Sequence, residues 1–145
     1  MPCLTYHDLP GGWVPEALLN IIVVLDYMKA LIKSIWSDSV TVSLEDYVPE
    51  DSDHFGLWLE FRVGLETSAA ADDFRVLVCT PDWIKQELDC KPVWARHVLL
   101  VARFDLPVIL AELQSLVARC SGPDWPSIAT KLSRYAAWEF EDYVQ

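Results

Sequence analysis

The sequence predicts an α+β domain, an antiparallel sheet of about four strands packed against C-terminal helices. Three observations carry that expectation. Phe55 to Val63 alternates: Phe55, Leu57, Leu59, Phe61 and Val63 point one way, and Gly56, Trp58, Glu60 and Arg62 the other. That is the period of a strand with one face on a core and one face partly wet. The stretch from Asp73 to Leu88 reads as a strand running straight into a helix. Two stripes of helical spacing, each preceded by an aspartate, then fill the C-terminal third.

Residues 1–27 are the least regular part. Pro2, Pro10, Gly11, Gly12 and Pro15 interrupt any element before Glu16, and the apolar run Leu18 to Leu25 fits a strand or a short helix equally. Two readings stay open. Either the segment is an N-terminal extension ahead of a domain beginning at Met28, an alternative start, or Ile21 to Leu25 adds an element to the core. The run is shorter than the roughly 18–20 apolar residues of a membrane span. No Lys or Arg precedes it and no small-residue cleavage site follows, so no signal peptide is expected.

From Met28 to Trp36, Ala30, Ile32 and Trp36 alternate with Lys29 and Lys33, giving a first strand. A turn-rich connection follows, and then the Phe55 strand. Gly64 to Asp72 makes a hairpin connection to a strand in which Phe74, Val76 and Val78 alternate with Arg75, Leu77 and Cys79. Thr80 is placed to cap the next helix, and Pro81 suits its first position because its missing N–H has no partner there. Trp83, Ile84 and Leu88 share a stripe. His97 to Phe104 is apolar on both faces at its centre and reads as an interior strand. Asp105 caps a helix with the stripe Ile109, Leu113, Leu116, Val117 and Cys120, ended by Gly122-Pro123. Asp124 caps another, with Ile128, Leu132 and Tyr135 inward.

The bulk properties allow one domain, residues 28–145, with a real core: 52% of residues are hydrophobic and seven are tryptophan. The formal net charge is −11, from 22 acidic and 11 basic residues. Such a field repels nucleic-acid backbones and anionic membranes and attracts basic partners, although an acidic surface also serves solubility alone. Cys3, Cys79, Cys90 and Cys120 have no metal-ligand spacing, and Cys79 and Cys120 fall at core positions, which suits a reduced, cytoplasmic setting. There is no phosphate loop, no nucleophile elbow and no paired-histidine metal motif, so neither a cofactor nor a metal is expected. A small enzyme built around His54 or His97 is the rival reading.

Two features rise above this background. One is the cluster Glu45, Asp46, Glu50, Asp51 and Asp53. The other is the tail Trp138-Glu139-Phe140-Glu141-Asp142-Tyr143. Carboxylates beside aromatic anchors suit docking on a basic protein surface. The plainer reading is a solvated loop and a tail whose Trp138 and Phe140 pack on the sheet, with the acidic residues outward.

The sequence also resembles a known family, the immunity proteins of bacterial polymorphic-toxin systems, specifically immunity protein family 8. The matching segments are Met28-Lys29-Ala30, Asp46-Tyr47-Val48-Pro49-Glu50-Asp51 leading into Phe55-Gly56-Leu57-Trp58-Leu59, the corner Val78-Cys79-Thr80-Pro81-Asp82-Trp83, Arg96-His97-Val98-Leu99-Leu100-Val101, and Lys131-Leu132-Ser133-Arg134-Tyr135 with the Trp138 to Tyr143 ending. The likeness spans residues 28–143 and leaves out 1–27. It implies a cytoplasmic antidote that neutralises a cognate secreted toxin by direct, stoichiometric binding and performs no catalysis. It brings no set of binding residues. The partner-binding residues expected on physical grounds are Glu45, Asp46, Glu50, Asp51, Asp53, Glu139, Glu141, Asp142 and Tyr143, facing a basic toxin domain such as a nuclease.

Overall fold

The computed structural model describes residues 28–142; the expectations for residues 1–27 and for Tyr143 lie outside the described residues. The first three strands are β1 (Ala30–Trp36), β2 (Gly56–Leu65) and β3 (Ala71–Cys79). β2 and β3 form the hairpin expected from their alternation, antiparallel from Gly56 opposite Cys79 to Gly64 opposite Ala71. β1 lies antiparallel on the other side of β2. Then come α1 (Pro81–Leu88), β4 (Val98–Leu100), α2 (Leu106–Arg119), α3 (Trp125–Leu132) and β5 (Ala137–Trp138). β5 pairs antiparallel with β3 near Phe74, and β4 runs parallel to β3 near Val78. A parallel neighbour needs a crossover, which α1 provides. The fold is the predicted α+β domain with one parallel pair at its edge.

The core sits between one face of the sheet and the later helices. Leu57, Leu59, Phe61 and Val63 of β2 and Phe74, Val76 and Val78 of β3 are buried. Ile109, Leu113, Leu116 and Val117 of α2 and Ile128 and Leu132 of α3 join them in one cluster. Both aspartate caps form as expected: Asp105 accepts from the Val108 N–H and Asp124 from the Ser127 N–H. The Ser127 bonds also hold the Asp124 carboxyl below its ordinary value.

An aromatic ladder crosses this face. Phe61 stacks on Phe74 at 5.8 Å, and Phe74 on Trp138 at 6.4 Å. The ladder seats the C-terminal tail on β3. Beside it, the Asp72 carboxylate accepts from both the Trp125 and the Trp138 indole N–H, at 2.7 and 3.0 Å.

Several local expectations are corrected. The register of β1 shifts between Ile32 and Ser34. That bulge puts Ile35 beside Phe61 and turns Trp36 to the outer face, where Arg62 lies over its ring at 5.6 Å. Trp36 therefore does not share a face with Ala30 and Ile32. The Thr80 side chain makes no cap bond; its buried hydroxyl instead bonds the Phe55 N–H and carbonyl, tying the start of β2 to the end of β3. None of Trp83, Ile84 and Leu88 is fully buried, because α1 lies outside the core cluster. β4 is an edge strand of three residues, and Leu100 is 57% exposed. α2 closes at Cys120, and a Cβ at Gly122 would make a tight approach of 3.1 Å to that of Ser127. Tyr135 lies past the end of α3 and is exposed, while Ala129 and Ala136 are buried in its neighbourhood.

The Asp72 clamp can be tested directly. Asp72→Ala leaves two indole donors without their acceptor and should lower unfolding free energy by about 2 kcal/mol. Urea denaturation against wild type checks it.

Candidate functional site

The first acidic cluster stands on an aromatic footing. Leu44 is buried and opens the short 3-10 turn Leu44–Asp46. Next, the Tyr47 ring meets Phe104 edge-on at 5.5 Å, and Phe104 meets Phe55 edge-on at 5.2 Å. Burial pushes the Tyr47 phenol up. The Phe104 N–H donates to the Ser52 carbonyl at 2.7 Å, so the chain after β4 is stitched to the loop before β2.

Glu45, Asp46, Glu50, Asp51 and Asp53 are all exposed above that footing. Asp46 accepts from the Ser43 hydroxyl, and Asp51 from the Asp53 N–H, bonds that shape the turns. Among the described residues the cluster's ion pair is with Arg103, 3.9 Å from Asp53 with both side chains largely in water, an arrangement worth little. The cluster thus keeps an almost uncompensated negative charge.

The tail is used differently. Its backbone pairs with β3, so Glu139 donates its N–H to the Asp73 carbonyl while its carboxylate accepts from the Asp73 N–H at 2.9 Å. Asp73 in turn holds Arg62 through two bonds, at 2.7 and 3.0 Å. Glu141 lies 2.6 Å from the Arg96 guanidinium. Asp142 is exposed, with φ at 63°. Trp138 packs on the sheet, while Phe140 meets it edge-on and stays partly exposed. No hydrogen bond or ion pair among the described residues joins the tail carboxylates to the 45–53 loop.

The histidines lie in different surroundings. His97 has an 11% exposed side chain whose Nε2 is 2.9 Å from the Ser133 carbonyl. A carbonyl only accepts, so that nitrogen carries the proton and donates. Glu141 lies 3.8 Å from the same nitrogen. The His54 N–H closes a turn with the Asp51 carbonyl. Burial pushes the Cys79 and Cys120 thiols up, the opposite of what a nucleophile needs. Among the described residues no group of three or more His, Cys, Asp and Glu side chains is arranged to hold a metal ion, and no helix is long and apolar enough to cross a membrane.

Two surfaces were not anticipated. On the outer face of the sheet Arg75 lies over Trp58 at 4.1 Å, with Glu60 3.3 Å from its guanidinium. Cross-strand pairing of Trp58 with Leu77 and Glu60 with Arg75 produces it, which a single strand's period cannot reveal. Elsewhere, Trp94 is 97% exposed. Its only sequence signal is Pro92 two residues earlier.

The model of one family, Immunity protein 8, matches residues 30–143. The chain belongs to the immunity protein 8 family. No curated protein and no solved structure matches it. The match to Immunity protein 8 covers every strand and helix of the described residues, so the acidic loop, the α1 crossover and the pinned tail all lie within it.

If the aromatic footing sets the pose of the acidic loop, Phe104→Ala should cost about 2 kcal/mol through lost burial and two lost ring contacts. It should also speed amide exchange across residues 43–54 while the β2–β3 hairpin stays protected. Exchange mass spectrometry on the two proteins reads both effects.

Proposed function

We propose that this chain is the antidote of a polymorphic-toxin system. It acts in the cytoplasm, binds the toxin domain encoded beside it in a stoichiometric complex, and catalyses nothing. The observation that carries the reading is the Immunity protein 8 match together with a net charge of −11 and an exposed, nearly cation-free carboxylate loop.

In this mechanism Glu45, Asp46, Glu50, Asp51 and Asp53 dock on a basic toxin domain, a nuclease being the natural case, with the carboxylates standing where substrate phosphates would lie. Electrostatic attraction raises the association rate, and close charge pairs slow dissociation. Asp142 and Tyr143 add to the surface from the tail. Glu139 and Glu141 serve chiefly through the network that holds the tail, since their carboxylates already bond Asp73 and Arg96. The expected domain is residues 28–145, with 1–27 as an extension outside the binding unit.

The test is calorimetric titration of the toxin domain encoded by the adjacent reading frame. Wild type should bind one to one. Asp51→Lys/Asp53→Lys should raise Kd about 10- to 100-fold and flatten the dependence on salt, because it sets like charges opposite one another. Glu141→Lys/Asp142→Lys should have the smaller effect. If neither variant changes affinity or its salt dependence, acidic docking is wrong.

A further inference from the structure

The exposed Trp94 directly precedes Ala95, Arg96 and His97, which line a cleft at the β4 edge where several cations gather. Asp89 and Cys90 at the end of α1 and His97 at the start of β4 have φ values of 45°, 60° and 59°. Between those bends Val93 and Trp94 are 65% and 97% exposed. Nothing within the described residues covers the indole, and leaving so large an apolar surface in water has a cost that burial against a partner would remove.

Ala95, Arg96 and His97, the residues after Trp94, line a cleft of about 420 Å³ between β4, α2 and the turn after α3. Arg119, Arg134 and Tyr135 line its other side. A shallower depression, lined by Arg119, Arg134 and Tyr135 again, also takes in Lys131. Arg119, Lys131 and Arg134 all lie close enough to draw down the neighbouring Cys120 thiol against the effect of its burial. Four of the chain's eleven cations therefore gather here, against two carboxylates, Glu112 and Glu141. Glu141 neutralises Arg96 at 2.6 Å, while Glu112 is 3.8 Å from Arg119 and barely does so. Arg134 makes no ion pair among the described residues.

We infer that this edge is a second docking surface, on which Trp94 anchors and Arg119 and Arg134 receive an acidic patch of the toxin. It rests on the proposed antidote role. The charge decides the occupant: a positive field on a chain of net charge −11 selects a partner's carboxylates, not the basic region that the 45–53 loop suits. Trp, Tyr and Arg are also the side chains that dominate binding energy in protein interfaces. Contact at two surfaces of opposite sign fixes the orientation of the toxin, which one charged loop alone does not.

The test uses the full chain and the toxin domain encoded beside it. Trp94→Ala should raise Kd about 30-fold, the loss typical of a central aromatic anchor, with the thermal midpoint unchanged because the indole touches no core. Arg119→Glu/Arg134→Glu should weaken binding at least tenfold and flatten the dependence on salt, because it sets carboxylates opposite the partner's carboxylates. If wild type binds and both edge variants bind equally well, the second surface is wrong and the antidote role stands. If wild type does not bind, both fall. If the chain is instead a dimer in gel filtration and Trp94→Ala makes it a monomer, the occupant is a second copy and the inference is overturned.

Discussion

The stack of Phe61, Phe74 and Trp138 across β2, β3 and β5 is the contact on which the other features depend. It is buried at its first two members and reaches β5 at its third. Phe61 and Phe74 lie among the helix residues Ile109, Leu113, Ile128 and Leu132 in one cluster, so the same rings hold the sheet to its helices. Trp138 stacks on Phe74, and its indole N–H is fixed by Asp72, which also takes the N–H of Trp125. The tail is thereby laid along β3, and the bonds of Glu139 and Glu141 to Asp73 and Arg96 follow from that position.

A difference between the two acidic segments results. Glu139 and Glu141 of the tail do structural work in a polar network, whereas the 45–53 carboxylates are carried clear of the fold on Leu44, Tyr47 and Phe104. A charge already bonded to a fixed cation adds little to the field a partner meets, and one standing above an apolar footing adds nearly its full value. Under the proposed antidote role this asymmetry has a use. An antidote has to be stiff where it binds, because ordering a loose loop on contact subtracts from affinity.

Much of the fold was legible in the sequence, for identifiable reasons. The β2 and β3 alternation is uninterrupted, and every residue it pointed inward is buried. Asp105 and Asp124 announce their helices by local chemistry that the tertiary structure leaves alone. Legibility ended where distant segments decide. The bulge near Lys33 turns Trp36 outward only because β2 lies alongside. Thr80 is recruited by Phe55, 25 residues away. β4 reads as interior because Val98, Leu99, Leu100 and Val101 are all apolar, yet among the described residues no strand covers its far side. The candidate surface divided in the same way. The 45–53 loop is a local charge run and visible as such; the Arg119 and Arg134 cleft is assembled from three elements, and Trp94 looks like any core tryptophan until a fold leaves it outside.

The most direct measurement is hydrogen exchange of the chain alone and mixed at equal amounts with the toxin domain encoded beside it. Binding through the two surfaces predicts slowed exchange at residues 43–54 and 91–97, with the amides of β2 and β3, already held in the sheet, unchanged. Unaltered exchange everywhere, or slowing confined to other segments, contradicts the account.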